Sequence, residues 1–446
     1  MEKLKAKDFA LGIQHLLAMF GATVLVPLLT GMSPSVALLT AGLGTLAFHL
    51  ITKGIVPVFL GSSFAFIPAL GTVIAGKQEN IPLAQGGIIA AGAVYLVFAL
   101  IVKLIGPDII RRIFPPVVTG PVIMIIGLNL TGAGVADSLG FDFGNPKTYI
   151  FDMAALKNVL IALFTFAVVL GGLNFRGKGF YKLIPILCGI AAGYVLCIIL
   201  HYCKLYDKID FAAIQKAPWI NVPYRDGFLS LPKFDWTAMM IIAPIAIVTF
   251  MEHIGDITTN GAVVGKDFFK DPGLHRTLVG DGVATMIAGF FGGPCNTTYS
   301  ENTGVLATTK NYNPALLRMA AVFAIVLGLI GKFGAVLQTI PRPVKGGVEM
   351  VLFGMIASVG VRIISESKLD LSSTRNLTIM GSTLCVGIGI GALGGVALHI
   401  NEIGITVSGL FFATVISVLL NQILPSDKKA DETEDSKKAI AKESTN

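Results

Sequence analysis

The chain has 446 residues, 54% of them hydrophobic and only 14% charged, with a mean hydropathy of +0.76. A soluble domain carries about 25% charged residues, so an ordinary soluble enzyme is excluded and an all-α integral membrane protein is expected. The net charge of +7 does not point to nucleic acid. With a cytoplasmic N-terminus, Lys3, Lys5, Lys7, Arg111, Arg112, Arg176, Lys178, Lys182, Lys266, Lys270, Arg276, Arg362, Lys368, Arg375 and the tail lysines all fall on one side, which is the positive-inside bias of a polytopic protein.

Met1–Asp8 is charged and no small-residue cleavage site follows the first apolar run, so no removable signal is expected. Apolar blocks near 10–30, 34–56, 84–106, 116–138, 156–173, 183–203, 237–257, 276–293, 314–337, 343–364, 376–397 and 400–424 are predicted to be spanning helices. Most are long enough to cross a hydrocarbon core of roughly 30 Å, which takes about 20 helical residues. Segments 58–75 and 294–309 are too short or too polar to cross as regular helices. Each is the third membrane segment of its half when the chain is divided at the polar loop 204–236. Paired broken segments at matching positions are the mark of a secondary transporter built from inverted repeats. The expected architecture is therefore fourteen segments in two inverted repeats of seven, with both termini inside. Residues 1–203 form the first repeat, 204–236 an extracellular loop and 237–425 the second repeat. The charged tail 426–446 reads as disordered and cytoplasmic.

The five cysteines show no CxxC spacing and mostly sit in apolar runs, so they read as small buried side chains; no metal site is expected. Many of the 51 glycines fall inside spans, where small residues let helices approach closely.

An ionisable residue within a span costs roughly 2.5–3.5 kcal/mol on insertion scales and is a functional candidate by default. Glu252 and Asp256 are four residues apart in the eighth span and share one helix face. Two carboxylates so close in a poorly solvated site would not both ionise comfortably, and proton coupling needs such a site. The alternative for Asp256 is a water-exposed place near the cytoplasmic end. Glu301 is the third carboxylate, inside the second broken segment, where backbone amides near Tyr299, Ser300 and Glu301 are freed to donate to a ligand carbonyl. Phe64 and Tyr299 are candidates for flanking a ring. Carboxylate acceptors, amide donors and aromatic faces together suit a neutral planar ring with alternating N–H and C=O groups, such as uracil. His253 faces about 100° away from Glu252 and reads as a structural partner of a neighbouring helix, the alternative being a relay. Gln14–His15 occupies the place in the first span that Glu252–His253 occupies in its repeat partner. His49, His201, His275 and His399 lie near span ends and carry no functional assignment.

The run Glu301–Asn302–Thr303–Gly304–Val305–Leu306–Ala307–Thr308–Thr309–Lys310 resembles the signature of the nucleobase–ascorbate transporter family: Gln, Glu or Pro, then Asn, any residue, Gly, four of any type, Thr, and a basic residue or Gly. Gln14–His15, Ser62–Ser63–Phe64, Glu252–His253 and Asn296–Thr297–Thr298–Tyr299 are also similar to the family, and the resemblance covers residues 8–425. Within the family the chain is most similar to bacterial uracil carriers, because purine members usually have Gln where Glu301 stands. The resemblance implies a core domain, about 8–106 and 237–337, and a gate domain, about 116–203 and 340–425. It implies uracil held by Glu252 and Glu301 with main-chain help beside Phe64 and Tyr299, and cotransport of a proton with no other cofactor. It implies a bacterial cytoplasmic membrane, and family members often pair through the gate domain, which suggests a homodimer. His15, Gln14, His253 and Asn302 would be structural polar partners. One departure is Asp256, where uracil carriers can have His; Glu252 and Asp256 would then share the proton.

The alternatives are a purine (xanthine or guanine) proton symporter, a membrane enzyme using the carboxylates, and an anion exchanger or channel. The enzyme would need metal-type spacing such as HExxH, which the sequence lacks. The anion carrier would favour a cationic or neutral residue in place of Glu252 or Glu301.

Overall fold

The computed structural model describes residues 6–141, 152–174, 181, 184–206, 209, 211–221, 229–400 and 403–425. The chain is mostly helical. In order it forms α1 (Ala6–Thr30), α2 (Pro34–Ile51), β1 (Leu60–Ser62), α3 (Ile67–Ile74), α4 (Ile81–Ile105), α5 (Pro107–Ile113), α6 (Pro116–Leu139), α7 (Met153–Leu173), α8 (Pro185–Tyr202), α9 (Phe211–Lys216), α10 (Trp236–Ile242) and α11 (Ala246–Val264). It continues with α12 (Leu274–Phe291), β2 (Asn296–Thr298), α13 (Ser300–Thr309), α14 (Pro314–Leu329), α15 (Gly331–Gln338), α16 (Arg342–Glu366), α17 (Thr374–Ala392), β3 (Val396–Ile400), β4 (Ile403–Val407) and α18 (Gly409–Ile423).

Among the described residues, 8 helical stretches are long and apolar enough to cross a membrane, and α14 and α18 are shorter apolar helices. Apolar side chains such as Leu100, Leu104, Leu160, Leu163, Val195 and Ile199 are exposed. On helices of this length and composition they are the lipid-facing surface, since hydrocarbon exacts no penalty for them. The chain is a multi-pass membrane protein.

The structure corrects three expectations. The all-α reading gives way to helices with two small two-stranded sheets, β1–β2 and β3–β4. The block 314–337 is not one helix: α14 stops at Leu329, Ile330 is extended, and α15 restarts at Gly331. The block 400–424 is not one helix either. Gly394 and Gly395 adopt φ of +80° and +105°, a region L side chains avoid. β3 and β4 then pair as a hairpin, and α18 begins only at Gly409, with the Ser408 side chain accepting from the Phe411 amide.

The major helix contacts join the first half of the chain to the second. α2 packs on α14 and α12, α4 on α12, and α1 on α14, while α6 packs along α16, which also meets α7 and α8. The α6–α16 seam is close: a Cβ added at Gly127 would lie 2.3 Å from the Phe353 carbonyl oxygen and 2.7 Å from the Ala357 nitrogen. Helices bring backbones together this way where lipid gives no hydrophobic drive for association. Gly127→Val should therefore cost about 1–3 kcal/mol through overpacking. A lowered midpoint of thermal unfolding in detergent checks it, with Leu128→Val at the neighbouring exposed position as the unchanged control.

Candidate functional site

Pro57 after α2 and Pro294 after α12 help prevent those helices from running on through the broken segments, because proline lacks the amide and clashes with the preceding turn. Buried backbone that leaves a helix needs another partner, and the two segments supply one another. β1 and β2 are wholly buried and pair antiparallel, Leu60 opposite Thr298, Gly61 opposite Thr297 and Ser62 opposite Asn296. The ladder is prolonged by Ser63 N–H to Cys295 C=O at 2.8 Å and Tyr299 N–H to Phe59 C=O at 3.0 Å. Some of its outer groups bond to the second long helix of each half. The Thr45 hydroxyl of α2 lies 2.9 Å from the Leu60 amide and 3.2 Å from its carbonyl, and Thr285 of α12 donates to Asn296 C=O at 3.0 Å.

From this crossing two short helices run apart. The 3-10 turn Phe64–Phe66 that leads into α3 follows Ser63, and α13 follows Tyr299; neither flanking side chain caps its helix. Uncapped starts leave orphan amide donors at the positive end of the helix dipole. The Ser63 hydroxyl is buried there without a protein partner.

α11 passes beside the crossing and presents the carboxylates. Asp256 is buried, with 8% exposure, and accepts a 2.7 Å hydrogen bond from Thr298 of β2, so it is not at a water-exposed helix end. Glu252 is half-buried and its Oε2 has no hydrogen-bond partner. Asp256, Asp281, Glu301 and Thr297 are all within electrostatic reach of it. Glu301 and Ser300 are half-buried in the first turn of α13. Three acidic side chains singled out from the sequence, on two helices, thus converge on one crossing.

The aromatic residues divide. Phe64 is 7% exposed and meets Phe353 of α16 edge to face, with centroids 6.1 Å apart. Tyr299 lies across the strand pair. Its hydroxyl donates to Ser62 C=O at 2.8 Å and accepts from Thr23 at 3.3 Å, and a Cβ at Gly61 would fall 2.5 Å from its ring.

The remaining polar candidates fasten the scaffold. His253 bonds Asp281 at 3.1 Å and Thr277 at 2.9 Å, both on α12. Asn302 Nδ2 donates to His15 C=O at 2.9 Å and lies 3.2 Å from His15 Nδ1, joining α13 to α1. Gln14 Nε2 and His15 Nε2 are buried without a protein partner. Asn260, one turn beyond Asp256, donates to Pro57 C=O at 3.1 Å and Thr303 at 3.0 Å. Sequence reading missed Asp281, Thr23 and Asn260, and marked Thr298 only as part of a run similar to the family. Asp281 stands in a predicted span, so the rule that singled out Glu252 could have found it. The threonines carry no such signal, since a hydroxyl within a span is ordinary.

Chemically, the crossing offers carboxylate oxygens to accept, uncapped amides and a serine hydroxyl to donate, and a phenylalanine face. The permease-family model (Xan_ur_permease) matches residues 6–396. The chain belongs to the nucleobase–ascorbate transporter family. It is therefore a transporter rather than an enzyme. It is 43% identical to the uracil permease of Bacillus caldolyticus over 95% of this chain and 93% of that protein. It is 41% identical to the uracil permease of Bacillus subtilis (strain 168) over 94% and 92%, and 39% identical to that of Escherichia coli (strain K12) over 93% and 90%. Among solved structures, SLC26A9 superposes with a TM-score of 0.67 at 11% identity, covering 94% of this chain and 66% of that one. The transmembrane domain of the cyanobacterial bicarbonate transporter BicA gives 0.58 at 15% identity, covering 94% and 96%. These likenesses show that this chain shares its fold with those proteins.

Thr298→Val should remove the Asp256 hydrogen bond and destabilise the protein by about 1–3 kcal/mol. Asp256→Asn measured alone and together with it should give a non-additive double-mutant cycle. Strict additivity in thermal or denaturant unfolding would dissolve the pair.

Proposed function

We propose that this chain is a uracil carrier that moves its cargo together with a proton. The observation that carries the reading is the convergence of Glu252 and Glu301, from α11 and α13, on the crossing of β1 and β2, where the starts of α3 and α13 leave amides uncapped. Glu252 accepts a ring N–H and Glu301 fixes the opposite edge. Amides beside Phe64, Tyr299 and Ser300 donate to ring carbonyls, and Phe64 covers a face. Uracil presents N–H and C=O groups alternately around a flat neutral ring and answers each of these demands. The uracil permease names of relatives about 40% identical over nearly the whole chain support the same cargo. Glu252 and Asp256, one turn apart, carry the coupling proton, and no other cofactor is required.

The supporting frame is fourteen segments in two inverted repeats, with both termini in the cytoplasm of a bacterial cell. A core domain (about 8–106 and 237–337) and a gate domain (about 116–203 and 340–425) belong to the same reading, supported by the packing of α2 and α4 on α12 and of α6 on α16. Alternating access follows from the core moving against the gate, with Phe64 and Phe353 meeting across the two groups. Pairing of two copies through the gate is part of the same reading.

Removing one hydrogen bond to a charged partner costs about 1.5–3 kcal/mol, so Glu252→Gln and Glu301→Ala should each weaken uracil binding roughly 10- to 150-fold. Uptake of labelled uracil into proteoliposomes, with and without an inward proton gradient, checks both cargo and coupling. Near-normal uptake in both variants would remove the proposed site. Competition by xanthine equal to that by uracil would assign a purine cargo, and indifference to the gradient would remove the proton.

A further inference from the structure

The α6–α16 seam holds a second group of charges away from the crossing. Asp137 lies in the last turn of α6, Lys345 in the first turn of α16, and Glu349 one turn further along α16. Lys345 Nζ is 3.4 Å from Asp137 Oδ2, and the two side chains are each 13% exposed. Glu349 is 0% exposed, and neither of its carboxylate oxygens has a hydrogen-bond partner. It is held against α6, since a Cβ at Gly134 would lie 3.2 Å from the Glu349 Cβ. Asp137 and Lys345 are the charged groups that act on it. α7 and α8 also pack on α16, and among the described residues they bring no charged side chain to bear on Glu349.

Lys345 is engaged at the rim by Asp137. A carboxylate enclosed in an apolar seam with neither oxygen hydrogen-bonded is costly unless it is paired or neutralised, and the group that neutralises it with the least rearrangement is a proton. We propose that Glu349 is a proton-binding site separate from the carboxylates of α11 and α13. The partly exposed Asp137–Lys345 pair is its connection to solvent. The ligand is the proton itself: it binds a carboxylate oxygen, changes the charge of the seam by one and brings no other atom with it.

Infrared difference spectra of the full chain, purified in detergent without any nucleobase and stepped from mildly acid to mildly alkaline pH, test the site. The wild type is expected to lose a protonated-carboxyl C=O band that Glu349→Gln lacks. A band of undiminished size in Glu349→Gln overturns the proposal, as does a wild-type spectrum holding only ionised carboxylate at every pH. Should Glu349→Gln fail to fold, Lys345→Met serves. With the ammonium gone, the same band should persist to more alkaline pH, and an unchanged pH dependence overturns the proposal. Because no cargo is present, failure here is distinct from failure of the uracil reading.

Discussion

A peptide group that leaves a helix inside hydrocarbon has no water to turn to, so it must find a partner within the protein. Everything at the candidate site follows from how this chain meets that constraint. The broken segments pair with one another through β1 and β2, and threonines from α2 and α12 close the outer edges of the ladder. The starts of the two short helices that leave the crossing have no side-chain cap, so their amides are left over in one place. The site is a by-product of breaking two helices at the same depth and letting their strands cross.

The polar side chains around the crossing fall into two kinds. Asp256, His253, Asn302, Asn260 and Tyr299 are each bonded to another element, and their bonds knit α1, α11, α12 and α13 to the strands. Glu252 and Ser63 have capacity to spare. That contrast separates the groups that build the cavity from those free to meet a visitor. It also gives Tyr299 a scaffold role beyond lining a ring, because its hydroxyl is engaged twice and its ring rests on Gly61.

Much of this was legible in the sequence. Long apolar blocks announce themselves by hydropathy, and two short polar interruptions at matching positions mark the segments that break. Glu252, Asp256 and Glu301 were legible because a carboxylate within a span is expensive and so conspicuous. The strands were not, since the unwound segments are only three paired residues long and their pairing depends on a partner in the other half. The hairpin β3–β4 was hidden for a different reason: its residues are as apolar as a helix, and only Gly394–Gly395 hinted at a break. The bonds made by Thr298, Thr23 and Thr45 were invisible because a hydroxyl takes its meaning from what lies across from it. Asp281 and Glu349 were visible by the same logic as Glu252 and were overlooked.

The pairing of strands from opposite halves has a consequence for how the molecule is made. Ser62 and Tyr299, joined by a hydrogen bond, are 237 positions apart in the chain. At a synthesis rate of about 5–20 residues per second, the first interrupted helix waits roughly 10–50 s for its complement to leave the ribosome. Throughout that interval its unsatisfied peptide groups must be sheltered by the insertion machinery or by transient water. The earlier half is therefore an unfinished surface until the later half arrives, and biogenesis of this carrier has a built-in order that neither half can complete alone.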